Sequence, residues 1–106
     1  MDMNSIMQQA QQFQQDMARV QEELGQKKVT GIAGGGMVTV TANGKSEIIS
    51  IVIERAIIVE SEAEMLQDLI VAASNDALRK AREMGKAAMG KVTGGFNLPG
   101  LANMFG

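Results

Sequence analysis

The feature of the sequence that most constrains the fold is residues 64–83, EMLQDLIVAASNDALRKARE. The apolar residues of this stretch recur at spacings of three and four, which places them in one stripe along an α-helix with a buried face. We expect the helix to continue to about Met89. The stripe comprises Leu66, Leu69, Ile70, Ala73, Ala77, Ala81, Met84 and Ala88. The rest of the chain is therefore expected to pack around one long helix.

A second, thinner apolar line follows the same predicted helix and consists of Val71, Leu78 and Met89. One interpretation is that a partner chain covers this line. The other interpretation is that its members only flank one wide face that packs on the core of their own chain. The sequence leaves both interpretations open.

The back of the long helix is basic. Arg79, Arg82 and Lys86 follow one another at i, i+3 and i+7, and Lys80 and Lys91 lie nearby. This spacing suits a phosphate backbone, to which each contact adds affinity without reading base sequence. A structural explanation also stays open, because basic residues near the C-terminus of a helix complement its dipole.

Residues 3–24 predict a first helix, whose apolar residues form a heptad seam that suits packing on one other helix. The seam comprises Met3, Ile6, Ala10, Phe13, Met17, Val20 and Leu24. Gly25 follows the seam, where a glycine in left-handed geometry commonly ends a helix. We assign seven apolar residues of the two helices to a dimer interface: Ile6, Phe13, Met17, Val20, Val71, Leu78 and Met89.

Three short strands are predicted between the helices, at residues 27–33, 37–41 and 47–53. Three consecutive glycines, residues 34–36, separate the first two strands. Asn43 and Gly44 separate the second and third, and this pair favours a hairpin with a type I′ turn. The third strand is apolar on both faces, which predicts that it is central or covered on both sides. The sequence thus predicts an α+β domain in two layers, with helices before and after an antiparallel three-stranded meander.

The length of 106 residues allows one domain, which we place at residues 1–90, followed by a flexible tail rich in Gly and Asn at 91–106. A core this small is marginal, and a dimer is a common way to bury more surface. The chain has no Cys and no His. The commonest general base and the thiolate ligands are therefore missing, so we expect no catalytic residues, no metal site and no cofactor.

Charge and hydropathy limit the cellular setting. The formal net charge is −2, so a nucleic-acid site has to depend on a local basic patch. No apolar run approaches the length of a membrane span, and the N-terminus lacks the pattern of a signal peptide. The absence of Cys fits a reducing cytoplasm, and we expect no membrane and no small-molecule substrate as partners.

Four segments together resemble the YbaB/EbfC family of bacterial nucleoid-associated proteins: MQQAQQFQQDM near the start, VTGIAGGGMVTVTANGK from Val29, EMLQDLIVAASNDALRKA from Glu64 and GGFNLPG near the end. The resemblance covers nearly the whole chain. It implies a homodimer shaped like tweezers, with projecting helices, that binds double-stranded DNA in the nucleoid with limited sequence preference.

Two hypotheses about function follow. The first is non-enzymatic binding of DNA through seven basic residues, of which the first two are chosen from charge and position after the first helix: Lys27, Lys28, Arg79, Lys80, Arg82, Lys86 and Lys91. The alternative is a protein–protein interaction module whose working surface is the heptad seam of residues 3–24. In that case the basic residues serve the helix dipole and solubility only.

Overall fold

A computed structural model describes residues 2–94 of the chain. Its helices and strands follow the predicted order, and the predicted α+β fold is confirmed. The bounds are α1 (Met3–Gln26), β1 (Lys28–Ala33), β2 (Val38–Asn43), β3 (Ile48–Ile53) and α2 (Ala63–Gly94).

The core lies between α2 and the inner face of the sheet. Three alanines of the predicted stripe, Ala73, Ala77 and Ala81, are completely buried there. Their short side chains allow the helix to approach closely, and Val38 and Val40 of β2 are also completely buried against it. The predicted buried face of α2 is therefore confirmed.

Gly31 marks the place where β1 touches α2 directly. A Cβ atom at this position would collide with the backbone of Ala73 and Ala77. The residue at this position must therefore lack a side chain, because the backbone of α2 occupies the space.

The three strands form an antiparallel sheet in the order β1–β2–β3. In one row across its outer face, Ile32 of β1 lies opposite Thr39 of β2, and Thr39 lies opposite Val52 of β3. We expected the third strand to be central or covered on both faces, and the first alternative was wrong, since β3 is an edge strand in the described part of the chain. Val52 is 65% exposed, and Ile48, Ile49 and Ile51 are exposed too, whereas Ile53 is half-buried and packs against the core.

The β2–β3 hairpin was predicted correctly, but its type I′ turn was not. The backbone N–H of Ser46 donates to the carbonyl of Asn43 at 3.0 Å, and Ser46 takes the left-handed conformation with φ of 64°. Neither Asn43 nor Gly44 has positive φ. Three-residue hairpin loops commonly combine a turn with a following left-handed residue, and this loop uses Ser46 at that position.

Gly44 is required by packing. A Cβ atom on Gly44 would lie 2.7 Å from the carbonyl oxygen of Leu24, at the end of α1. The close approach lets the N–H of Gly44 donate to the carbonyls of Leu24 at 2.8 Å and of Lys27 at 3.1 Å. The hairpin thereby caps the C-terminal end of α1, whose last carbonyls have no partner within the helix.

Helix α1 begins at a capped end. The carboxylate of Asp2 accepts a hydrogen bond from the N–H of Ser5 at 2.8 Å, and this bond lowers the pKa of Asp2. The predicted helix end at Gly25 was wrong. The helix continues through Gly25 to Gln26, and Gly25 does not have positive φ.

Both helices extend away from the sheet, and the molecule measures 69 Å along its longest axis but 24 and 16 Å across. Helix α2 continues beyond the predicted end near Met89, and beyond residue 91 where we expected the tail to begin, to Gly94. The remainder of the predicted tail, residues 95–106, lies outside the described residues.

Candidate nucleic-acid interface

The C-terminal half of α2 concentrates positive charge. Between Asp76 and Gly94 the helix carries five basic and two acidic residues, although the whole chain has a net charge of −2. The basic residues predicted to contact DNA in this region are Arg79, Lys80, Arg82, Lys86 and Lys91. The structure divides these five cations into two groups according to their intramolecular partners.

Arg79 and Lys80 form the first group, and both bind acidic residues of their own helix. Arg79 lies 2.6 Å from the carboxylate of Asp76 and 3.6 Å from that of Glu83. Lys80 lies 3.3 Å from the carboxylate of Asp76 and donates a hydrogen bond to the backbone carbonyl of Thr30 at 2.9 Å. These two cations are therefore partly neutralised, and Lys80 also helps to attach α2 to β1.

Asp76 connects this group to the sheet. Its carboxylate accepts a hydrogen bond from the backbone N–H of Ile32 at 3.2 Å. This bond is the main cause that lowers the pKa of Asp76, and the hydrogen bonds from Lys80 and Arg79 lower it further. Asp76 and Lys80 thus bind outward-facing backbone groups of β1, an edge strand, and so protect that edge from pairing with another strand.

Arg82 and Lys86 form the second group. Both are exposed on the back of α2, and neither forms an ion pair with any other residue in the range 2–94. They are separated by four residues, which corresponds to a rise of about 6 Å along one face of the helix. Two unpaired cations at this spacing can each bind a negatively charged group of a ligand.

Lys27 and Lys91 lie on the opposite side of the helices, where they line a groove of about 680 Å³ between α1 and α2. The groove also contains apolar side chains of both helices, among them Phe13, Val20 and Met84. Lys28, at the start of β1, is exposed. The seven predicted DNA-binding residues therefore do not form one continuous patch.

The seven residues predicted to lie in a dimer interface also occupy different environments. Phe13 and Val20 line the groove that faces α2 of the same chain, and Met17 and Met89 are half-buried. Leu78 packs against the core of its own chain, whereas Ile6 and Val71 are exposed at 47% and 59%.

Two features of the surface were not predicted from the sequence. The first is the attachment of β1 by Asp76, for which the only sequence signal is the spacing of four residues between Asp76 and Lys80. The second is the exposed edge of β3, with Ile48, Ile51 and Val52. The apolarity of this strand on both faces predicted a position that is central or covered on both sides, and it did not indicate an exposed edge.

Within residues 2–94, no group of three or more His, Cys, Asp or Glu side chains is arranged to hold a metal ion. None of the described helices has the length and apolarity needed to cross a membrane.

These features define a small α+β domain with an exposed cationic helix face, a class of surface that suits polyanions. A model of the YbaB/EbfC DNA-binding family matches residues 1–96. The chain therefore belongs to the YbaB/EbfC DNA-binding family, and the resemblance stated from the sequence is confirmed.

Individual relatives agree with this assignment. The chain is 54% identical to a nucleoid-associated protein of Desulfotalea psychrophila over 103 residues, and the matched region covers 97% of this chain and 97% of that relative. It is also 54% identical over 99 residues to a nucleoid-associated protein of Bacillus cereus strain B4264, spanning 93% of this chain and 91% of that relative. The names of the family and of these relatives support the assignment of the chain as a nucleoid-associated DNA-binding protein. The family is a DNA-binding family and not an enzyme family.

The fold recurs in a solved structure. A crystal structure of an uncharacterized protein from Helicobacter pylori superposes with a TM-score of 0.80 and covers 88% of this chain and 98% of that chain. The sequences are 22% identical, so the comparison supports the fold alone.

Proposed function

We propose that this protein binds double-stranded DNA as a homodimer in the cytoplasmic nucleoid, mainly through the phosphate backbone, with limited sequence preference and without catalysing a reaction. The observation that carries the proposal is the pair Arg82 and Lys86, which are exposed and make no ion pair within residues 2–94. Their separation of about 6 Å is close to the rise of two nucleotides along one strand.

Limited sequence preference follows from the nature of these contacts. Lysine and arginine side chains that bind phosphate oxygens fix the position of a protein on the duplex but do not distinguish base pairs. Arg79 and Lys80 are expected to contribute less, because Asp76 and Glu83 already neutralise part of their charge. Because the net charge of the chain is negative, the rest of the protein surface is expected to attract DNA only weakly, so binding depends on this face of α2.

The open edge of β3 supports a homodimer. An edge strand with exposed apolar side chains can pair with the same strand of a second copy, and monomeric proteins usually protect such edges. Side chains of α2 bind the outward-facing groups of β1, as Asp76 does for Ile32. Ile51 and Val52 on β3 have no equivalent cover within residues 2–94 and are 43% and 65% exposed.

Val71 belongs to the same side of the molecule. Asp76 and Lys80 face β1, and successive helical residues turn by about 100°, so Val71 and Leu78 lie on the opposite flank of α2, toward β3. A second copy that pairs with β3 would therefore also meet Val71, which is 59% exposed. This arrangement retains Val71 in the proposed interface and adds β3 to it. Arg82 lies on the same flank, so a two-fold axis there would bring two basic faces near each other.

The test of this function is binding to unrelated duplexes. Purified protein of measured oligomeric mass would be titrated onto several fluorescent duplexes of equal length and different base sequence, with fluorescence anisotropy as the readout. We expect a dimer whose dissociation constants differ by less than about tenfold among the duplexes, since phosphate contacts do not read sequence. A monomer, or a preference of several orders of magnitude for one duplex, would contradict the proposal.

A second candidate function is the protein–protein interaction module. It is favoured by the start of α1, where Met3, Ile6 and Met7 are exposed at 74%, 47% and 55%. An apolar helix face of this kind can dock into a groove of another protein. Two measurements separate the candidates: a protein–protein module should form a stoichiometric complex with a protein partner in cross-linking or pull-down experiments and should have no affinity for duplex DNA at low salt, whereas the DNA-binding protein should bind the duplex.

A further inference from the structure

Three parts of the chain meet at the β2–β3 turn. The turn contacts the end of α1 through the hydrogen bonds from Gly44 to the carbonyls of Leu24 and Lys27. It also contacts α2, because a Cβ atom on Gly85 would lie 3.6 Å from the carbonyl oxygen of Gly44. Lys45 lies in the turn itself, and Lys86 is the residue after Gly85 on α2.

Asn43 holds the turn in one conformation, and this residue is buried, with only 6% of its surface exposed. Its side-chain oxygen accepts hydrogen bonds from the backbone N–H groups of Lys45 at 3.0 Å and of Glu47 at 3.1 Å. Its side-chain nitrogen donates to the carboxylate of Glu47 at 2.8 Å. The backbone at Lys45 is thus fixed before any ligand binds, which lowers the entropic cost of a contact made by this residue.

The charge of Lys45 is not used inside the described chain. Lys45 is exposed and forms no ion pair with residues 2–94, since the nearby carboxylate of Glu47 is bound by Asn43. Its aliphatic stem passes over the last turn of α1, where the side-chain Cδ atom would lie 3.3 Å from a Cβ atom on Gly25. A lysine with its stem packed in this way presents its ammonium group to solvent at the surface of the junction.

We infer that the β2–β3 turn is a second DNA contact, in which Lys45 binds a backbone phosphate next to the phosphates bound by the basic face of α2. This inference rests on the proposed DNA-binding function. Lys45 was not among the basic residues that the sequence singled out, because it lies in a turn far along the chain from the helical stripe. The close packing of Gly44 against α1 and of Gly85 against the turn brings it to the same junction.

The test compares Lys45→Gln with Arg55→Gln, which removes an equal charge from an exposed position after β3 that also makes no ion pair within residues 2–94. Duplex binding would be measured by anisotropy between about 50 and 200 mM salt, at a temperature where thermal unfolding shows each variant to be folded. Each phosphate contact contributes about 0.9 to the slope of log affinity against log salt, which amounts to about 3.5-fold in affinity over this range. We expect Lys45→Gln to reduce the slope of log affinity against log salt by about 0.9 per subunit. We expect Lys45→Arg to have the same slope as the wild type.

The outcomes separate this inference from the proposed function. If the wild type binds duplex DNA and the two Gln variants have equal slopes, Lys45 makes no contact and the inference is overturned while the function stands. If Lys45→Arg loses as much as Lys45→Gln, the loss does not come from the charge and the inference is also overturned. If the wild type does not bind at low salt, the proposed function fails and this contact fails with it.

Discussion

The carboxylate of Asp76 on α2 accepts a hydrogen bond from the backbone N–H of Ile32 on β1 at 3.2 Å, across 44 positions of sequence. The same carboxylate binds Lys80, whose ammonium group donates to the carbonyl of Thr30. One edge of the sheet is therefore bound by its own helix. The other edge, at β3, carries the exposed apolar residues that we propose as a dimer interface.

Replacing Asp76 with Asn is expected to lower the melting temperature at pH 7. The neutral amide would weaken the charge-assisted hydrogen bond to Ile32 and the ion pairs to Lys80 and Arg79. Asp68→Asn is the matched control, because Asp68 lies on the same helix and makes no hydrogen bond or ion pair with residues 2–94. Thermal unfolding followed by circular dichroism checks the prediction, and equal melting temperatures for the two variants would contradict it.

The contribution of Asp76 to stability should depend on pH. Its pKa is lower in the folded protein than its ordinary value of 3.8, so the folded state favours the ionised carboxylate. The stabilisation is therefore present above about pH 4 and is lost as pH falls through the lowered pKa of the folded state. Urea unfolding from pH 6 to pH 2 should show the free-energy difference between the wild type and Asp76→Asn shrinking with acid. A difference that stays constant to pH 2 would be inconsistent with this role.

Gly31 and Gly90 offer a pair of glycine substitutions with opposite expected effects. Gly31→Ala should destabilise the protein by about 1–3 kcal/mol or more, because the added methyl group collides with the backbone of Ala73 and Ala77. Gly90→Ala should stabilise it by about 0.5–1 kcal/mol, because Gly90 lies in α2 with open space around the added Cβ. Denaturant unfolding of both variants is the measurement, and a neutral Gly31→Ala would disprove the close contact.

The sequence predicted most of the elements because their patterns are local. The stripe that contains Ala73, Ala77 and Ala81 follows the helical period, and burial against the sheet maintains it. The turn type was not predicted because it depends on hydrogen bonds of a side chain. The side chain of Asn43 accepts hydrogen bonds from the backbone of the loop, and Ser46 takes the left-handed conformation.

The position of β3 and the division of the cations depend on tertiary structure. An apolar strand can be central within a chain or can lie at an edge that another chain covers, and its sequence alone does not distinguish the two cases. The helical spacing likewise does not distinguish between Arg79, Arg82 and Lys86, which follow one another along one face. Only the folded chain shows that Arg79 is paired with Asp76, whereas Arg82 has no such partner among residues 2–94.

Val52 and Ile32 test which edge of the sheet forms the dimer. Both residues lie in one row on the outer face of the sheet, at opposite edges, and they are 65% and 52% exposed. Val52→Lys should weaken the dimer by about tenfold or more, which corresponds to about 1.4 kcal/mol, because a charge would enter the proposed interface. Ile32→Lys should leave the dimer intact, since α2 already binds that edge. Sedimentation equilibrium gives both dissociation constants, and equal effects at the two edges would exclude pairing through β3.

The salt dependence of duplex binding tests the central claim most directly. The wild type, the double variant Arg82→Gln with Lys86→Gln, and a control with equal charge change, Arg19→Gln with Arg55→Gln, would be titrated onto one duplex by fluorescence anisotropy. We expect the first double variant to reduce the slope of log affinity against log salt by about 1.8 per subunit, at about 0.9 for each lost phosphate contact, and the control to change it little. A wild type that does not bind at low salt, or equal slopes for the two double variants, would contradict phosphate binding by this face of α2.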